Sequence, residues 1–178
     1  TPSSYVRAES DFQMKGYAES WDCFGKFTHW REIYDVSNQI TVRGNRDTLY
    51  SFGIFDLSSP LTVTLPEPQG RYQSLMVVNQ DHSITASYGP EEVVLTEDGV
   101  GSRYVMAAIR TFADPNDEAD MSAARRLQDQ VLIEQANVGR LEVPNWDAEE
   151  LAATRNAVMS VASTVSDTSK MFGERDEL

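Results

Sequence analysis

Between Leu49 and Thr111 the apolar residues fall into six short runs with a period of two, each closed by turn chemistry, and no other pattern in the chain restricts its fold as tightly. The runs are Leu49 to Phe55, Leu61 to Leu65, Arg71 to Val78, Ile84 to Tyr88, Val93 to Thr96 and Arg103 to Thr111. A two-residue period puts alternate side chains on opposite faces of a strand. The connections carry Ser58-Ser59-Pro60, Pro66-Glu67-Pro68-Gln69-Gly70 and Glu97-Asp98-Gly99, residues that preset or tolerate turn dihedrals. Strands spaced at roughly ten residues predict an antiparallel sandwich or barrel-like sheet core rather than a parallel sheet.

Helical periodicity flanks this block. Ser3 or Ser4 can cap a first helix with Tyr5, Ala8, Phe12 and Gly16 on one face, fading near Trp21 to Gly25. The strand period begins at Ile40. After the strands, Asp117 or Asp120 caps a helix through Gln130 whose buried stripe is Met121, Ala124, Leu127 and Val131. Val131 to Glu134 then turns extended. Asp147 with Glu150 makes an Asp version of the capping box, and Trp146 with Leu151 supplies a hydrophobic staple. Leu151, Val158, Val161, Ala162 and Val165 form the apolar face of that last helix. The predicted class is therefore α+β: an N-terminal helix, a sheet core and two C-terminal helices, in one domain over 1–170 followed by a linker-like tail over 171–178.

Composition sets limits. The 178 residues carry a formal charge of −13, a field that repels nucleic acid and anionic lipid. The longest apolar runs are strand-length, far below the ~20 residues a spanning helix needs, so a soluble chain without membrane or nucleic-acid partners is expected. One cysteine, Cys23, excludes an intrachain disulfide and a Cys-based zinc site. Placed beside Trp21 and Phe24, it reads as core filler. Two histidines exclude a three-His zinc centre.

Asp114, Asn116, Glu118 and Asp120 mimic alternating calcium ligands, but Ala119 stands where the loop glycine belongs and Arg125 where its last glutamate belongs. Turn and cap duty is expected of them, and neither a metal nor a cofactor. Gly99-Val100-Gly101 lacks a third glycine and precedes a strand.

Several stretches together carry a family resemblance. They include Tyr5-Val6-Arg7-Ala8-Glu9, Phe24-Gly25-Lys26-Phe27 and the run from Arg43 to Ser51 containing Asn45-Arg46-Asp47-Thr48-Leu49-Tyr50. Phe55-Asp56-Leu57, Gly70-Arg71-Tyr72-Gln73-Ser74, Asn79-Gln80-Asp81-His82, Arg110-Thr111-Phe112-Ala113-Asp114-Pro115 and Leu127-Gln128-Asp129 add to them. The chain resembles the bacterial family catalogued as domain of unknown function 1254. The resemblance implies a second β-rich domain, domain of unknown function 1214, after the Phe172-Gly173 linker, and an exported, periplasmic or secreted location. It implies no reaction or ligand. It also makes a homodimer or a separate β-rich partner the expected cover for an exposed last helix. The closing Arg175-Asp176-Glu177-Leu178 is one residue from a retrieval signal of the endoplasmic reticulum, and linker sequence is the competing reading.

The family run also holds the candidate site. Arg43, Asn45, Arg46 and Tyr50 are the expected ligand-binding residues, because guanidinium groups grip carboxylates and phosphates bidentately. On a continuous strand Arg46, Thr48 and Tyr50 share one face. The competing structural reading has Asp47 paired with an arginine, Asn45 holding a turn and the Tyr50 hydroxyl tied down. His82, after Asp81 at a strand end, is the candidate general base, with Asp47 as its carboxylate partner. His29 is a second histidine inside an aromatic run. Three functions remain open: a binding module for a small anionic or hydroxylated molecule, a hydrolase using a His–Asp pair or a metal, and an assembly module.

Overall fold

The computed structural model describes residues 2–35, 44–162 and 164, and its order of elements is α1 (Pro2–Trp21), β1 (Thr28–His29), β2 (Thr48–Asp56), β3 (Leu61–Leu65), β4 (Gln73–Asn79), β5 (Ile84–Tyr88), β6 (Glu91–Leu95), α2 (Glu97–Val100), β7 (Tyr104–Phe112), α3 (Glu118–Gln128), β8 (Leu132–Gln135) and α4 (Ala148–Ala162). The strands form two antiparallel sheets, a five-stranded one in the order β1-β2-β7-β4-β5 and a three-stranded one in the order β6-β3-β8. The fold is the α+β arrangement expected from the periodicity, with α2 added where a turn was read.

Alternation explains how the layers meet. Leu61, Val63 and Leu65 of β3 point into the same core as Leu75 and Val77 of β4, Val105, Ala107 and Ile109 of β7, and Phe55 of β2. All are buried, so the two sheets pack face to face. Each fully buried Leu, Ile, Val or Phe side chain contributes about 1.5–3 kcal/mol through removal from water. The opposite face of the large sheet carries Ile54 and Tyr104, which pack with Met14 of α1 and with Cys23. A third cluster of Leu49, Ala113, Met121 and Ala124 seats α3 at one end of β2 and β7. The large sheet is therefore the middle layer of three.

A buried carboxylate ties the loops to this frame. The Asp56 side chain is fully buried and accepts from Arg103 Nε at 3.0 Å and Nη2 at 2.8 Å, from Ser58 N at 2.9 Å and from Arg140 N at 3.2 Å. Burial pushes its carboxyl upward, but the Arg103 guanidinium and the two backbone N–H groups outweigh that and hold it down at about 2. Gly139, with φ +73°, brings the 136–146 segment against Asp56, and a β-carbon there would collide with the carboxylate.

Several expectations are corrected. Helix α1 begins at Pro2, a residue whose fixed φ suits a first helical turn, so Ser4 lies inside it. Its buried residues are Ala8, Ser10, Asp11 and Met14, while Phe12 is 47% exposed. Val131 falls beyond α3, which does start at the Asp117 cap. Strand β8 begins at Leu132. Asp147 Oδ1 accepts from Glu149 N and Glu150 N as a cap should. The apolar face read for α4 is buried only at Leu151; Val158 and Val161 are 46% and 55% exposed. Val165, Ile40 and the 171–178 tail lie outside the described residues.

Two outcomes follow from this frame. Asp56→Ala strands Arg103 and two backbone donors, and the expected cost is about 3 kcal/mol by chemical denaturation. Because the folded carboxyl is depressed to about 2, its stabilisation is complete above the ordinary carboxylate range and is lost as pH falls through about 2; the acid unfolding of D56N should lack that component. Cys23 is fully buried and burial raises its thiol to about 11, so a thiol reagent should label the native chain negligibly and label it once after denaturation.

Candidate functional site

The face of the large sheet turned away from the small one is laid out in rows by the strand register. Tyr50, Arg110, Ser74 and Tyr88 form one row across β2, β7, β4 and β5. Phe52, Ala108, Met76 and Ala86 form the next, and Ile54, Met106, Val78 and Ile84 the third. Helix α1 lies over the third row. Between helix and sheet is a groove of about 480 Å³. Its floor is Met76, Val78, Ile84 and Met106, and Val6, Met14 and Tyr17 of α1 form its wall. Polar groups stand at its rim: Tyr5, Glu9, Ser10, Gln13 and His82.

The rim is partly preorganised. Glu9 accepts from Arg155 Nε at 2.7 Å and Nη2 at 2.8 Å, and from the Tyr5 hydroxyl at 2.9 Å. The Arg155 guanidinium holds the Glu9 carboxyl below the usual range despite its burial. Burial raises the Tyr17 phenol. Arg7 forks onto Asp81 at 2.5–2.9 Å, fixing the first part of α1 to the β4–β5 turn that carries His82. Asn79 shapes that turn, its Oδ1 accepting from Asp81 N and Ser83 N. His82 itself sits at φ +66°, a left-handed conformation that non-glycine residues adopt at a cost.

The structure disperses the residues nominated from the sequence. Arg43 lies outside the described residues. Asn45, Arg46 and Asp47 are exposed and precede β2, so strand alternation does not govern Arg46. The Asp47 carbonyl accepts from Ala113 N. The Tyr50 hydroxyl accepts from Asn45 N at 3.0 Å, and its ring stacks beside Phe52. His82 alone lines the groove. Tyr50 shares its row with Ser74, whereas His82 follows the other end of β4; four residues of strand, about 13 Å, separate those ends. Asp47 and His82 are thus not brought together.

His29 shows what a histidine partner looks like here. Its Nδ1 is 2.7 Å from Ser51 Oγ, and Gln128 Nε2 donates to the same oxygen at 3.2 Å. Burial lowers the imidazole's basicity, with Arg31 adding to the effect. Ser51 is fully buried and its hydroxyl already bonds both His29 and Gln128, which leaves this pair nothing to offer a substrate. Asp114, Asn116 and Asp120 serve turns and an ion pair: Asp114 Oδ1 accepts from Asn116 N, and Asp120 forks with Arg71. Among the described residues no three His, Cys, Asp or Glu side chains gather as a metal would require. No helix among them is long and apolar enough to cross a membrane.

Met76, Met106, Glu9 and Arg110 were not nominated from the sequence. One signal for Arg110 was available: it is a charge at the end of the apolar run Val105 to Ile109, on the side of β7 shared by Met106 and Ala108.

Comparison with known proteins fits this architecture. No curated protein matches the chain. The crystal structure of the VPA0106 protein from Vibrio parahaemolyticus superposes with a TM-score of 0.66 at 15% identity, covering 99% of this chain. The chain spans 62% of that protein's length, and at this identity the likeness concerns the fold alone. A hypothetical protein from Leishmania major overlaps 60% of the chain and 84% of its own at 12% identity, with a TM-score of only 0.23. Residues 24–98, which hold the Asn45 to Ser51 run and the Asn79 to His82 turn, match the model of the family described as protein of unknown function (DUF1254).

Proposed function

We propose that the domain is a binding module that holds a small molecule with an apolar body in the groove between α1 and the large sheet. The observation that carries this reading is the groove itself, about 480 Å³ with a floor of Met76, Val78, Ile84 and Met106. Small-molecule sites are typically concave, mainly apolar spaces of about 300–1,000 Å³ with a few polar groups that orient the ligand. Two of the four floor residues are methionines, whose unbranched thioethers adapt to differently shaped guests. Ser10, Gln13, Tyr17 and His82 supply donors and acceptors near the opening.

The test uses anilinonaphthalene sulfonate, an apolar fluorophore, on the folded chain. Its emission should rise and saturate with one site per chain. Val6→Trp places a large ring in the groove from the helix side and should reduce affinity about tenfold or more while the melting temperature holds. Equal binding by V6W and the parent chain would place the dye elsewhere and defeat the reading.

A further inference from the structure

We infer that Arg110, one strand row beyond the Met76 row that floors this groove, is a carboxylate anchor, so that the ligand is an amphipathic organic acid with its apolar body over Met76 and Met106. The inference rests on the groove reading above and adds the chemistry of the ligand's head.

The first observation is electrostatic. In a chain of charge −13, Arg7, Arg31, Arg71, Arg103, Arg125 and Arg155 each hold a carboxylate. Among the described residues Arg110 forms no ion pair, and its guanidinium donates only to the Tyr72 hydroxyl, at 3.4 Å. Arg46, Arg126 and Arg140 also lack ion pairs there, but they are exposed to water, whereas Arg110 is half-buried. A guanidinium that has given up part of its hydration without gaining a carboxylate is a site for one.

The second observation is independent. Ser74 faces Arg110 directly in the β4–β7 register. It is only 2% exposed, and its hydroxyl oxygen has no hydrogen-bond partner. Buried polar atoms are nearly always paired, and a bound group is one standard explanation for an exception. Tyr50 and Tyr88 close the same row on either side, and Tyr72 and Tyr88 meet edge to face at 6.1 Å. One planar fork beside a hydroxyl matches the two oxygens of a carboxylate, whereas a phosphate dianion calls for more positive charge than one guanidinium.

Geometry links head and body. Along β7, Ala108 and Met106 follow Arg110 on the same face, and Met76 lies beside Ala108 on β4. From the Arg110 row to the Met106 row is about 13 Å, the extent of a medium-chain acid.

Octanoate and octanol share a tail and differ in the head, so calorimetry on the folded chain separates the two claims. The parent chain should bind octanoate about tenfold more tightly than octanol, as one charge-assisted contact predicts. Arg110→Gln should collapse that ratio to near one, Arg110→Lys should keep part of it, and V6W should weaken both ligands. Raising salt to about 1 M should also shrink the parent chain's preference, a check that requires no folded variant. A preference for octanoate that survives R110Q or high salt overturns the anchor while leaving the groove in place. Equal binding of both ligands by the parent chain overturns it too. If V6W leaves the binding of both ligands intact, the groove reading fails as well.

Discussion

A strand that is apolar on both faces cannot be satisfied by one neighbouring layer, and β7 is such a strand. Val105, Ala107 and Ile109 enter the core shared with the small sheet, while Tyr104, Met106 and Ala108 face the helix side. Paired along its length with β2 and β4, it occupies the middle of the large sheet. The three-stranded sheet covers one face and α1 covers part of the other. A two-layer sandwich would leave Ile54, Met106 and Val78 in water. The need for a third layer follows from that single strand's composition.

The strands were legible because they are defined by a local period and by turn residues at their ends. Leu61 to Leu65 and Ile84 to Tyr88 match β3 and β5 end to end, and the others shift by one or two residues at each end. Helix faces were less legible. Ala8 and Met14 of α1 are buried, but so are Ser10 and Asp11, because hydrogen-bonding partners wait for them, and no apolarity scale registers that. The α4 stripe was real as a pattern, yet Val158 and Val161 stay exposed.

The site was harder still. Alternation predicts which residues share a face but not which face is open, so Arg46 was favoured for its motif and Arg110 passed over inside a strand. Arg46 turned out to precede the strand, where alternation has no force. His82 reached the groove for a reason visible in the sequence, a position just past an apolar strand. The left-handed turn that holds it depends on Asn79, whose carboxamide bonds two backbone N–H groups on one side and Val100 O on the other.

The way α1 is attached explains why a space persists beneath it. Arg7 grips Asp81, Glu9 grips Arg155, and Asp11 accepts from Gln80 Nε2 and from Trp146 Nε1 at 2.9 Å. Gln80 in turn accepts from Tyr104 N at 3.1 Å, linking the helix to the start of β7. These contacts join the helix to the β4–β5 turn, to the 136–146 segment and to α4, so directional bonds fix its position as much as apolar contact does. Hydrophobic packing alone is non-directional and would draw α1 onto the sheet until the void closed. Hydrogen bonds of fixed length resist that approach. Met14 descends to the sheet beside Ile54 and Tyr104, while Val6 and Tyr17 stay at the groove wall over Met76 and Met106. The helix is therefore propped at its polar contacts and seated at Met14. The unfilled remainder is the groove floored by Met76, Val78, Ile84 and Met106.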